Sequence, residues 1–176
     1  MKSDVYKRHI KNFSNHWWFQ ARKKIIETTI SKNFKRKLNI LDFGSGSGVN
    51  IKMLSKYGFV NIYEPHLKTT KYLKLEYQNT KKFKILKKIG KNKFDLIILA
   101  DVLEHIKYDK KELERLSKNL NKNGHILITV PAYKFLFSIK DKILGHHRRY
   151  NKSQISKLFK NFDTIKLTYF NFFLFI

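Results

Sequence analysis

Ile40-Leu41-Asp42-Phe43-Gly44-Ser45-Gly46-Ser47-Gly48 is the stretch that decides the fold. An apolar run ending in three alternate glycines reads as a buried strand that opens through a tight turn into a helix. Glycine lets the backbone approach a ligand closely, and the free N–H groups at a helix start face that ligand. The usual occupant of such a turn is a nucleotide-like cofactor.

The details choose among cofactors. A dinucleotide turn runs G-x-G-x-x-G, whereas here the third glycine falls at Gly48, one residue early, and Val49 stands where glycine is expected. A pyrophosphate would also be repelled by Asp42, two residues before the first glycine. S-adenosyl-L-methionine fits better, because it carries an α-ammonium and a sulfonium and no phosphate. An acid beside the loop attracts it, and the loop amides can take its carboxylate.

Composition narrows the chemistry further. The 176 residues suffice for one domain with a real core, and 42% of them are hydrophobic. The absence of cysteine removes disulfides, thiolate metal sites, iron–sulfur clusters and cysteine nucleophiles together. A formal net charge of +25 suggests nucleic acid, yet the lysines are spread along nearly every segment and only six of the basic residues are arginine. Arginine is the preferred group for bidentate phosphate and base recognition, so a solvated basic surface facing anionic lipid or an acidic substrate is the better reading. Residues 1–15 are polar with no apolar h-region, and no run reaches the length of a membrane span, so the expectation is a cytoplasmic protein. The one apolar concentration is the end, residues 169–176.

In chain order, apolar residues at helical spacing predict an N-terminal helix over 17–31 with Arg22, Lys23 and Lys24 on its surface. The aromatic cluster His16-Trp17-Trp18-Phe19 before it reads as a lid or a packing plug. Strands are predicted over 38–43, 59–63, 82–86, 94–100 and 125–130, and a last one over 165–169. Helices are predicted over 49–57, ended by Gly58, over 67–77, and through Leu113, Leu116 and Leu120; Ser153 is the expected cap of another through Phe159. The run Phe94-Asp-Leu-Ile-Ile-Leu-Ala100 has the unbroken apolar character of a central parallel strand. Strand and helix alternate, so the expected fold is α/β: a Rossmann-like doubly wound, mostly parallel sheet in three αβα layers. The single domain divides into an N-terminal helical cap over 1–36 and a core over 37–176.

Ligands of such sheets bind at the carboxyl ends of the strands. That rule collects Gly44 to Gly48, Glu64, Asp101 to His105 and the segment from Pro131 onward. Glu64 lies twenty positions after Gly44, where an acid bonds ribose hydroxyls. Asp101, Glu104 and His105 would share a face if a helical turn begins there, and three readings are open: bracing of the pocket, acid–base work, or a divalent ion held by Glu104 and His105. The long loop from Pro131 to about Asn151 holds Tyr133, His146, His147, Arg148 and Arg149, either for an anionic substrate group or as a basic surface.

The glycine stretch, Glu64 and the Asp101-Val102-Leu103-Glu104-His105 run together resemble the class I S-adenosylmethionine-dependent methyltransferases. The last of these is similar to a subgroup that includes ubiquinone-biosynthesis O-methyltransferases and other small-molecule enzymes. His16-Trp17-Trp18-Phe19 with Arg22, and Gly145-His146-His147-Arg148-Arg149-Tyr150, resemble a bacterial branch associated with surface-polysaccharide and lipid-linked pathways. The resemblance covers nearly the whole chain. It implies that Asp42, Gly44, Ser45, Gly46 and Gly48 surround the methionine end, that Glu64 holds the ribose, and that Asp101 lines the cofactor. Some relatives with Glu-x-x-Glu-His bind a divalent metal, but this chain has Asp101 at the first position, and no metal is assigned. Relatives end in an antiparallel seventh strand, so the edge after 165–169 is expected to be incomplete and residues 172–176 to lack cover.

The expected function is methyl transfer to an oxygen of a small-molecule, lipid-linked or saccharide-linked acceptor, with His105, His147 and Asp101 as the candidate catalytic groups. Candidate acceptor-binding residues are His16, Trp17, Arg22, Tyr133, His146, Arg148 and Arg149. Nucleic acid is disfavoured as a partner, though ribose methylation of RNA survives as an alternative, as does an inactive cofactor-binding module. Peripheral contact with anionic membrane is a further expectation.

Overall fold

The computed structural model describes residues 16–79 and 82–170. The polar start over 1–15 and the apolar end over 172–176 therefore lie outside the described residues. The chain forms two compact units, Met1–Leu99 with Asn119–Leu127, and Ala100–Lys118 with Ile128–Ile176.

The first unit contains the sheet. Its elements are α1 (Trp17–Asn33), β1 (Leu38–Phe43), α2 (Ile51–Leu54), β2 (Gly58–Tyr63), α3 (Leu67–Glu76), β3 (Phe83–Ile85) and most of β4 (Phe94–Ala100) and of β5 (Leu120–Thr129). The strand order is β3-β2-β1-β4-β5, with β1 parallel to both β2 and β4, and β2 parallel to β3. Ile40 sits opposite Val60 on one side and Leu96 on the other. The step from β3 back across to β4 reverses the winding at β1. The expected doubly wound, Rossmann-like parallel sheet flanked by helices is thus present.

Burial explains the elements. Ile40, Leu41, Val60, Ile62 and every side chain from Phe94 to Leu99 are buried, as strands covered on both faces require. Helix α1 is capped by the His16 side chain accepting from the Trp18 N–H, and it buries Ile26 and Ile30. Arg22, expected on its surface, is buried too. At the amino end of β4, Asp95 accepts from Arg36, from the Asn39 N–H and from Asn121. The Arg36 guanidinium holds that carboxyl well below the usual carboxylate range.

Several boundaries differ from expectation. Gly58 starts β2 instead of ending a helix, because the Leu38 backbone lies against it and leaves no room for a Cβ. Leu120 belongs to β5. The preceding helix ends at Ser117, and the Asn119 side chain then donates to the carbonyls of Gly90 and Asn92 while its own carbonyl accepts the Phe94 N–H.

The second unit holds a single turn at Leu103–His105, α4 (Asp109–Ser117), a turn at Lys134–Leu136, α5 (Ile139–Leu144) and α6 (Lys152–Leu158). The segment expected as a long loop is closed at its base. Tyr150 donates its N–H to Pro131 and accepts one from Tyr133. Helix α6 is capped by Asn151 with Gln154, not by Ser153. Residues 165–169 form no strand, and Ile165 is exposed. Among the described residues no helix is long and apolar enough to cross a membrane.

Candidate functional site

In the first unit, β1 delivers Asp42 to the start of the glycine loop. Gly44, Gly46 and Gly48 all adopt positive φ, at 71°, 53° and 79°, which an L side chain rarely does. Their roles differ. A Cβ on Gly46 would meet nothing within 4 Å, so the chain is open beside it. A Cβ on Gly48 would come within 2.7 Å of Leu73 and 2.6 Å of Ile51, and the Gly48 carbonyl accepts from Tyr77 at 3.0 Å. Gly48 is therefore required for packing on α3.

Glu64 follows β2 and is fixed by backbone amides. One carboxylate oxygen accepts from the Gly46 N–H and the other from the His66 N–H, each at 2.9 Å. Asp42 contrasts with it. The side chain is buried and its Oδ2 has no hydrogen-bond partner. Burial pushes its carboxyl up to about 7, against the opposing charge of Arg22 and with a further push from Glu64. Arg22, 4% exposed with its guanidinium 5.0 Å from the Phe19 ring centre, is thus an electrostatic partner of Asp42. The buried Ser45 Oγ and Asn50 Oδ1 also lack partners. Sequence reasoning missed Asn50, whose one available signal was its place at the mouth of the helix after Val49. His16 and Trp17, at the start of α1, are exposed.

Orphaned polar atoms in a buried setting are rare unless something else satisfies them. The set consists of a carboxylate oxygen, a hydroxyl and an amide oxygen around a glycine turn. It matches a ligand end that carries both ammonium and carboxylate, which is the methionine end of S-adenosylmethionine.

In the second unit, Asp101 also has positive φ, 55°, and is clamped to Thr129. Its N–H donates to the Thr129 carbonyl and its carboxylate accepts from the Thr129 hydroxyl at 2.7 Å. Glu104 is fully buried, and its carbonyl accepts the His147 N–H. The ring beside His105 belongs to His146, edge-on at 4.6 Å between centres, while His147 is exposed. Partial burial lowers the His105 pKa, and the neighbouring His146 lowers it further. Donor atoms of Glu104, His105 and His146 lie within 4.8 Å of one another, a spacing that suits a single divalent ion.

The basic residues of the segment have internal partners. Asp141 accepts from Ser138, from His146 Nδ1 at 2.9 Å, and from Arg149 through two bonds of 2.9 and 3.0 Å. Burial pushes that carboxyl up, but Arg149 and the other donors outweigh it and hold it below its ordinary range. Arg148 donates to Asp109 and to the Lys107 carbonyl. The buried Tyr150 hydroxyl donates to Asp109, and burial together with that acid raises its pKa. Tyr133 stacks on Tyr169 at 4.9 Å. Asp109, Asp141 and Tyr150 thus organise the segment.

No curated protein matches the chain. Solved structures share its fold at low identity. The magnesium protoporphyrin IX methyltransferase of Synechocystis, with bound S-adenosylhomocysteine, is 15% identical with a TM-score of 0.65 over 81% of this chain and 70% of that one. The N-methyltransferase NodS of Bradyrhizobium japonicum, in complex with S-adenosylhomocysteine, is 11% identical with a TM-score of 0.64 over 88% and 84%. A SAM-dependent methyltransferase of Aquifex aeolicus is 17% identical with a TM-score of 0.61 over 77% of each chain. Residues 15–165, most of the chain, match the methyltransferase domain family. By that match and by its sheet order, the chain belongs to the methyltransferase domain family and is a class I S-adenosylmethionine-dependent methyltransferase.

Proposed function

We propose that this methyltransferase acts on a hydroxyl oxygen of a small-molecule, lipid-linked or saccharide-linked acceptor. The observation that carries the cofactor half is the buried Asp42 carboxylate with an unpartnered oxygen beside the glycine loop. In this reading Asp42 pairs with the ammonium of the methionine end and the unpartnered Ser45 hydroxyl takes its carboxylate, the Gly44 and Gly46 amides being engaged by the Tyr63 carbonyl and Glu64. Glu64, oriented by the Gly46 and His66 amides, holds the ribose hydroxyls. S-adenosylmethionine supplies an electrophilic methyl carbon on a sulfonium.

The acceptor half rests on His105. Its lowered pKa keeps the imidazole neutral at ordinary pH, so it can take the proton of an acceptor hydroxyl. Excluding water and aligning the two reactants supply much of the remaining rate. The subgroup resemblance of Asp101 to His105 and of Gly145 to Tyr150 supports a small-molecule or lipid-linked acceptor. Replacing Asp42 with Ala is expected to abolish binding of S-adenosylhomocysteine in calorimetry, and full affinity would sink the assignment.

A further inference from the structure

Helix α5 and the turn before it carry their apolar side chains outward. Phe135, Ile139, Ile143 and Leu144 are 81%, 74%, 79% and 58% exposed, whereas the buried residue of the helix is Asp141. Ile139 and Ile143 stand four apart, on one face. The inversion is locked in place. Asp141 is tied from beneath by Ser138, His146 and Arg149, so α5 cannot roll to bury its isoleucines without breaking those bonds.

Charge defines what could cover such a face. Lys134, Lys140 and Lys142 are exposed among the apolar residues, and the one acid between 134 and 144, Asp141, is buried and paired. Residues 134–144 therefore present apolar tips and positive charge with no exposed carboxylate of their own. That combination suits a bilayer interface, where apolar side chains enter the acyl boundary and lysine stems reach back to anionic headgroups. A second copy would bring two chains of net charge +25 together through like-charged lysines. A nucleic acid would engage the lysines and leave the apolar tips in water.

We propose that the α5 face docks this protein on the surface of a membrane rich in anionic lipid. The inference goes beyond methyl transfer and does not depend on it, because vesicle binding is read without turnover. The test is flotation of the purified chain with vesicles of phosphatidylcholine alone, and with an equal mixture of phosphatidylcholine and phosphatidylglycerol. The wild type is expected to float with the mixed vesicles only. Ile139→Ser with Ile143→Ser should reduce the bound fraction roughly tenfold at an unchanged melting midpoint. Lys140→Gln with Lys142→Gln should reduce it by a similar factor. If the isoleucine variant melts early, Phe135→Ser in the preceding turn gives the same reading. The proposal is overturned if the wild type stays at the bottom of the gradient. It is also overturned if the isoleucine variant floats as well as the wild type, which would assign binding to scattered charge. A solution dimer that the isoleucine variant abolishes would assign the face to a second copy and overturn it too.

Discussion

Asp42 and Asp141 are each 1% exposed, yet the chain treats the two carboxylates in opposite ways. Asp141 is surrounded by donors from Ser138, His146 and Arg149 and is held ionised. Asp42 has an oxygen with no partner, and its carboxyl is pushed up to about 7. A buried acid that is fully satisfied serves the fold. One that is buried and only partly satisfied costs stability, and such a group is retained for what it binds.

Removing Asp141 should have the largest effect on stability. Asp141→Ala leaves Arg149 and His146 facing a buried gap, and loss of about 3–5 kcal/mol is expected in denaturant unfolding. A loss under about 1 kcal/mol would erase the contrast between the two acids.

The converse holds at Asp42. Between the ordinary carboxylate range and about 7, the folded chain keeps a proton that the unfolded chain has released. Stability therefore falls as pH rises through that window and levels off above it. Asp42→Asn should remove this loss and leave the protein roughly 1–4 kcal/mol more stable than wild type at about pH 8, by thermal or urea unfolding. Destabilisation by the same substitution would make Asp42 a structural acid.

Gly48 sharpens the comparison within the loop itself. Gly48→Ala must displace Ile51 and Leu73 and hold alanine at positive φ, so a loss of about 2–4 kcal/mol is expected. Gly46→Ala meets open space and should cost stability about 1–2 kcal/mol through its backbone alone. Its larger effect should be on cofactor affinity. Smallest of all, Glu112→Ala breaks a surface pair with Arg115 and should change stability by about 0.5 kcal/mol or less.

The sheet was legible because its signals are local. The apolar run over β4 and the glycine turn after β1 need no knowledge of the rest of the chain. Three features were not legible for the opposite reason. Arg22 reads as a surface residue by helical spacing, and its burial beside Asp42 depends on a partner twenty residues away. The alternation over 165–169 reads as a strand, yet alternation alone does not provide a neighbour to pair with. His147 and His146 are indistinguishable in sequence, and only the bond from Asp141 aims the His146 ring at His105.

The most direct test of the account is calorimetric titration of S-adenosylhomocysteine into wild type and Asp42→Asn between about pH 6 and pH 8. Asp42 must be ionised to hold the ammonium, so wild-type affinity should rise roughly tenfold across that range, while the variant stays weak and flat. Equal, pH-independent affinity in the two proteins would contradict the assignment of Asp42 as the cofactor-binding acid.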